Sequence, residues 1–412
     1  MNNFFSLNKG IIIFFVSCFS LLISFFLNED GSGDGARGDF EVTYGFILAL
    51  QENLLADPKD WTLVHTPLHF IILSFITRII TDTSILRFLF CFFALSIPIL
   101  LYLSSSILKL DQVKKTNLLV LSSIVIMIPS FRYTSIWAND LITSLFFFIL
   151  SIYFYKKWEN KKTNFLDKNL LFQILFLVLA TYTRQYFAVF FIYFLTIYFL
   201  HLSIQSFIKL FILCVISSIP VFYYVYLFPE LLTGQHISLK AINFFILGNS
   251  SIISLTLFPI ILLNLIFKKI TLKSLIKPFI IALLIVIVLS LNFNPIDWKG
   301  GGVNYLISKK IFQNNLFFYF TSLVTITFFI YMALENKENA LLLLIILFMF
   351  FSLQVYQRYY EPMFFIIFFT LIKTNLSRIF LENFKTTFIL FFYFVLYYFA
   401  SISDLIYTIN FN

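Results

Sequence analysis

Charge is what this sequence has least of. Asp, Glu, Lys and Arg together make up 12% of its 412 residues, where a soluble domain carries about 25%; an ordinary water-soluble globule is excluded. Cysteine is nearly absent. Cys18, Cys91 and Cys214 all lie inside apolar runs, so neither a disulfide framework nor a zinc site is implied. Short segments of alternating polar and apolar residues, the mark of a membrane barrel, are missing. So is an internal repeat, the signature of inverted-repeat transporters. No small-x-small cleavage site follows the first apolar run, Ile11 to Leu27, which is therefore read as a retained helix and not as a signal peptide.

What remains is hydrophobic length. Apolar residues make up 60% of the chain, in runs of about 17–25 residues, each enough to cross a bilayer as a helix. The expected fold class is all-α: a polytopic membrane protein, a single transmembrane domain over 1–412. The net charge of +9 calls for no nucleic-acid partner, because cytoplasmic loops of membrane proteins collect Lys and Arg. Four loops do so: "KLDQVKK" (109–115), "YKKWENKK" (155–162), "FKKITLKSLIK" (267–277) and "KTNLSRIF" (373–380). These are expected inside, as is the acid-free start "NNFFSLNKG". Acids concentrate between Glu29 and Asp60, which suits an outside loop.

Two apolar stretches, 66–80 and 85–107, separate that loop from "KLDQVKK". If both crossed, the lysines would be outside. The stretch 66–80 is short for a span at about 1.5 Å per residue, so it is expected to lie along or dip into the outer leaflet. The remaining runs give about 13 spanning helices with the C-terminus outside. The chain then divides into a first extracytoplasmic loop (28–84), a helical module (85–205) and C-terminal helices (206–412) with a second outside loop at 294–315.

On this count the polar residues at the ends of the apolar runs all fall on the outer side: Arg132, Asp140, Arg184 with Gln185, and Arg358. A charge at membrane depth costs about 2.5–3.5 kcal/mol or more, so such residues usually face a cavity and each other. Snorkelling of arginines to the interface is the plainer alternative. Taken together they suggest one outward-facing polar site beneath the first loop.

The series "GDFEVTYGFILAL", "DWTLVHTPLHFIILSFITRI", "SILRFLFCFFALSIPILLYLSSSIL", "IPSFRYTSIWANDLITSLFFFILSIYF" and "TYTRQYFAVFFIYF" resembles the GT-C superfamily of integral membrane glycosyltransferases. The likeness is to the protein mannosyltransferase and lipid A aminoarabinose transferase type, and covers roughly residues 10 to 200. Asp39 falls at that family's catalytic acid, and Tyr44, His65, Pro67, Leu68, Arg87, Pro129 and Asp140 fall on matching positions. Phe40 departs from the pattern, standing where a second acid is common, and Thr66 replaces the first Pro of H-P-P-L. Glu41 is the candidate substitute acid. The later "TRQ" and "RYYEP" resemble the dolichyl-phosphate-glucose glucosyltransferases, which leaves the donor sugar open.

The resemblance implies an inverting transfer of a sugar from a polyprenyl-phosphate donor to a lipid, glycan or protein acceptor. The setting it implies is a multi-pass protein of a bacterial inner membrane, its site facing the periplasm or exterior among membrane lipids. A carboxylate deprotonates the acceptor as general base; Asp39 is the first choice and Glu41 the second. Cations meet the departing phosphate; Arg184, Arg358 and Lys299 are the candidates, since guanidinium binds phosphate through two parallel hydrogen bonds. Tyr44, Trp61, His65, Arg132, Asp140, Gln185 and Tyr359 are expected to contact substrate, although Trp and Tyr also belong at membrane interfaces for packing alone. No organic cofactor or metal is expected, the loss of the second acid leaving a divalent ion as a lesser option.

Two glycine-rich stretches admit other readings. In "NEDGSGDGARGDFEV" (28–42), Asp30, Ser32, Asp34, Gly35 and Glu41 occupy positions 1, 3, 5, 6 and 12 of a calcium loop. Arg37, however, stands at the eighth position, which such a loop keeps apolar. In "NPIDWKGGGVNYLISKK" (294–310), Gly300 to Gly302 with Lys299, Lys309 and Lys310 form either a lid over a lipid phosphate or a plain solvated loop. The competing functions are a transporter or flippase of lipid-linked sugars, or an oligosaccharide polymerase or ligase. A transporter needs ionisable residues along its lumen, whereas the cytoplasmic halves of most helices here read as Phe, Leu and Ile. A polymerase would carry its main outside loop late in the chain.

Overall fold

The computed structural model describes residues 2–31, 35–61, 63, 65–107, 111–161, 163–229, 242–291, 293, 301–350 and 355–402. Among them every regular element is helical. Eight helices are long and apolar enough to cross a membrane, or up to ten if each of two bent helix pairs counts as one span, as a polytopic membrane protein requires. The expected count of about 13 is not reached among the described residues. The reason is length. Several apolar runs form helices of only 10–17 residues, Leu68–Thr77, Lys168–Thr183 and Gln185–His201 among them, and two others break sharply, by 64° at Met127/Pro129 and by 98° between Thr370 and Asn375.

The chain forms two compact units, Met1–Gly234 with Phe391–Asn412, and Gln235–Leu390. The division lies beyond the 205/206 boundary read from sequence, because α11 (Ile204–Leu227) packs on α9 (Lys168–Thr183) and α10 (Phe190–His201).

In the first unit α1 (Asn2–Phe26) packs on α6 (Gln112–Met127). Gly10 makes this approach possible: a Cβ there would stand 3.0 Å from the Thr116 carbonyl oxygen, and small residues let membrane helices approach this closely. Asn28, left-handed at φ 51, terminates α1. The Glu29 N–H returns to the Ser24 carbonyl and the Asn28 N–H to that of Phe25, both at 3.0 Å. This closure satisfies the last carbonyls of the helix and turns Glu29 inward.

Next comes α2 (Gly35–Glu52), which begins ahead of Asp39 and Glu41. The Asp30 carboxylate accepts from the Arg37 N–H at 2.9 Å, one of the donors a helix start leaves open. Ala36, Phe40, Thr43, Phe46, Ile47 and Leu50 are buried, a stripe at helical spacing. It packs on α3 (Leu68–Thr77), where Phe46 meets Phe70 edge-on at 5.5 Å and the Gln51 amide donates to the Thr77 hydroxyl at 2.7 Å. With ten residues, α3 is about 15 Å long, half a hydrocarbon core.

The module continues through α4 (Thr83–Ala94), α5 (Ser96–Ser106), α6, the short α7 (Pro129–Ile136) and α8 (Asp140–Lys161). The 22 residues of α8 extend about 33 Å, so Asp140 and Lys161 stand a membrane core apart.

The second unit is built on α12 (Ile242–Ile266), which packs on α14 (Gly302–Lys310), α15 (Leu316–Glu335) and α16 (Lys337–Phe348), while α13 (Leu272–Leu291) lies on α15. A buried polar seam joins them. The Asn304 amide donates to the Ser251 carbonyl at 2.7 Å and to the Ser254 hydroxyl at 2.6 Å; the Ser251 and Thr321 hydroxyls meet at 2.8 Å. Such bonds hold helices together where water is absent. After α17 (Glu361–Thr370) and α18 (Arg378–Glu382), α19 (Phe384–Ser401) contributes its first turns to this unit and the rest to the first.

Candidate active site

Three helix ends meet at one end of the first unit. The break between α7 and α8 is made by Ala138, which adopts φ 44, while the Asn139 N–H returns to the Thr134 carbonyl at 2.9 Å. A left-handed residue with a Cβ is costly, and here it turns Asn139 and Asp140 toward the end of α9. There Arg184, 1% exposed, donates through Nη2 to the Asp140 carboxylate and, at 3.1 Å, to the Asn139 side-chain oxygen. The other Asp140 oxygen, Oδ2, is buried and takes no hydrogen bond among the described residues. A buried acceptor without a donor costs about 1–3 kcal/mol.

Two histidines from the preceding segment act on the same carboxylate. His65 is half-buried. His69 is enclosed on α3, its Nε2 3.1 Å from the Ala138 carbonyl and its Nδ1 2.8 Å from the Thr143 hydroxyl. A carbonyl only accepts, so Nε2 carries the proton and Nδ1 accepts from Thr143. Burial pushes the imidazole down to about 4, which keeps it neutral near pH 7. Beside this group, Thr66, Pro67, Tyr182, Pro220 and Tyr224 line an apolar cavity of about 170 Å³.

A second buried arginine lies on α7. Arg132 is 0% exposed and is enclosed by protein. Its Nε donates to Glu29 at 3.3 Å, and Nη1 and Nη2 reach the Ser20 hydroxyl, the Ile126 and Ser20 carbonyls, and the Ser24 hydroxyl. Tyr398 of α19 covers the guanidinium at 4.0 Å and donates to the Glu29 Oε2 at 3.0 Å. Arg87 brackets the same region, donating to the Ile136 carbonyl and the Asn28 side chain at 3.0 Å each and lying 3.6 Å above the Trp137 ring.

The first loop joins this end through Phe40. Its ring lies 6.1 Å from Trp137 and 5.9 Å from Tyr44, and 5.9 Å from the Arg87 guanidinium. Phe40 thus turns into the core. Asp39, its neighbour, is half-buried on α2. Glu41 is exposed and paired with Arg37 at 3.1 Å. Residues 35–41 are helical and do not form the loop that a calcium site would need; Ser32 and Asp34 lie outside the described residues. Among those residues no three His, Cys, Asp or Glu side chains come together as metal ligands.

Of the residues singled out in sequence, the structure therefore brings Asp140, Arg184 and His65 together, with Gln185 next in the chain and half-buried. Arg132 pairs with Glu29 instead. Tyr44 donates to the Thr81 carbonyl at 3.4 Å, and Trp61 packs edge-on against Gly45, where a Cβ would stand 2.3 Å from its ring. Arg358 and Tyr359 belong to the second unit, where the guanidinium lies 5.3 Å from Tyr356 and 5.7 Å from Tyr359, and Tyr359 stacks on Phe350 at 5.0 Å. Lys299 and Gly300 lie outside the described residues, while Gly302 to Lys310 form α14.

Glu29, Asn139, His69 and Thr143 were not singled out in sequence. For Glu29 a signal existed: a buried arginine needs a carboxylate, and Glu29 follows the first apolar run directly. No protein-family model, no curated protein and no solved structure matches the chain.

Proposed function

We propose that the chain is an inverting glycosyltransferase that moves a sugar from a polyprenyl-phosphate donor to a lipid, glycan or protein acceptor on the non-cytoplasmic side. The observation that carries this reading is the buried Asp140–Arg184 pair with an open carboxylate oxygen. A sugar is a ligand of many hydroxyl donors, and one of them supplies what Oδ2 lacks. Arg184, oriented through Nη2, brings positive charge to the place where a leaving phosphate gains negative charge.

In this reading the acceptor oxygen attacks the anomeric carbon and its proton passes to Asp39. The bond from that carbon to the phosphate oxygen breaks, and polyprenyl phosphate leaves with inversion. Asp39 is preferred over Glu41 because Glu41 is exposed and already paired with Arg37. Arg132 acts as a structural member that ties α7 to the end of α1. The proposal rests on the first unit alone.

Release of polyprenyl phosphate from a panel of radiolabelled polyprenyl-phosphate sugars by the purified protein tests it. Turnover of at least one donor supports it; no release from any donor by folded protein overturns it. Orientation is tested separately. A cysteine at Asp57 should react with an impermeant maleimide from outside and one at Lys161 should not; reversed labelling would remove the site from the donor's side.

A further inference from the structure

We propose that the second unit carries a binding site for an anionic phospholipid, formed by a groove between the start of α13 and the middle of α15 together with Lys268, Lys269, Lys273 and Lys277. This inference is independent of the glycosyltransferase reading.

The groove measures about 320 Å³ and is walled by Leu275, Ile276 and Phe279 on one side and Leu323, Val324 and Phe328 on the other. Its one polar wall residue, Thr327, spends its hydroxyl on the Leu323 carbonyl at 2.7 Å. The walls therefore offer only apolar contact, over about 10 Å of helix. That suits a lipid chain but selects no lipid; selection comes from the mouth.

Lys268 ends α12 in the left-handed region, at φ 53. The Lys269 N–H returns to the Asn264 carbonyl at 2.9 Å and the Lys268 N–H to that of Leu265 at 3.0 Å, a closure that reverses the chain into α13. Lys268 and Lys269 stand at this turn. Lys273 and Lys277 follow on one face of α13, each next in sequence to a groove residue, Leu272 and Ile276. All four lysines are exposed, no acid occurs from Phe267 to Pro278, and among the described residues none of the four is in an ion pair. On α15, whose middle walls the groove, the acid at the C-terminal end is Glu335, and it accepts hydrogen bonds from Thr374 and Asn375.

Unpaired lysines beside an apolar groove provide for both parts of an anionic phospholipid: point charges for the phosphate and a wall for the chains. Basic pockets between membrane helices bind such head groups. A free phosphate would leave the groove unfilled, which is why the lipid is the occupant.

The test is native mass spectrometry of the full purified chain in detergent. The probes are phosphatidylglycerol, phosphatidylcholine with the same chains, and glycerol phosphate. Phosphatidylglycerol should be retained at least tenfold more tightly than phosphatidylcholine, and glycerol phosphate should not compete. Lys273→Gln/Lys277→Gln should abolish the preference, and Lys161→Gln/Lys209→Gln should leave it intact. Val324→Trp, which fills the groove, should weaken both lipids; if that variant fails to fold, the lysine pair decides alone. Equal retention of the two lipids, competition by glycerol phosphate, or a preference that survives the lysine substitutions would overturn the proposal.

Discussion

Arg132 and Arg184 begin alike. Each lies near a helix end in the first unit, each is buried, and each faces a carboxylate. They differ in the state of that carboxylate. Both oxygens of Glu29 are engaged, by Arg132 and by the Tyr398 hydroxyl. Asp140 spends one oxygen on Arg184 and leaves Oδ2 open among the described residues. The first arrangement is a closed lock. The second has capacity to spare for a ligand. A buried ion pair by itself is weak evidence of either role; how completely the acid is satisfied distinguishes them.

The largest effect expected under this contrast lies on the ligand side. Asp39→Asn should slow polyprenyl phosphate release by about 10²–10⁴-fold with an unchanged thermal unfolding midpoint; full activity would remove the general base. Next in size is the lock. Glu29→Ala strands a buried guanidinium and should cost about 3–5 kcal/mol, seen as a lower unfolding midpoint.

Matched replacement then breaks the comparison cleanly. Apolar replacement of a buried pair commonly restores stability, so Glu29→Met/Arg132→Met should recover both fold and turnover. Asp140→Leu/Arg184→Met should recover the fold and leave turnover low. Equal turnover in the two double variants would mean that Arg184 is a second lock.

Smaller effects sharpen which face of α2 does the work. Gly45→Ala drives a methyl into the Trp61 ring; overpacking of this kind costs about 1–3 kcal/mol and should shift the fluorescence of that tryptophan. An unshifted spectrum would detach Trp61 from α2. Smallest of all is Glu41→Gln. An exposed pair such as Arg37–Glu41 is worth about 0–1 kcal/mol, so turnover should stay within about twofold; a dead Glu41→Gln enzyme beside an active Asp39→Asn would move the base to Glu41.

Local features were legible in the sequence. The apolar runs announced helices, and the shortness of 66–80 announced α3, because length along a helix is fixed per residue. The start of α2 was not legible: the glycines around Asp34 signal a loop, while the burial of Ala36 and Phe40 that extends the helix depends on Trp137 and other distant residues. The expected count of about 13 spans exceeds the eight to ten among the described residues, because apolarity does not reveal bends such as that at Pro129. The grouping of Asp140 with Arg184 followed from the cost of buried charge. The pairing of Arg132 with Glu29, 103 residues away, was missed, although Glu29 is the acid that directly follows the first apolar run. For Trp61 the sequence left substrate contact and packing open; its contact with Gly45 exists only once α2 and the segment after it have packed.

The bond from Tyr398 to Glu29 spans 369 residues, and this sets an order in time. At about 5–20 residues per second, a nascent chain exposes Glu29 to the bilayer roughly 20–70 s before Tyr398 has been synthesised. Until then Arg132 and Glu29 pair with each other, the serines of α1 and the Ile126 carbonyl without the cover of the Tyr398 ring. The first unit, although begun first, is not completed until α19 has been made.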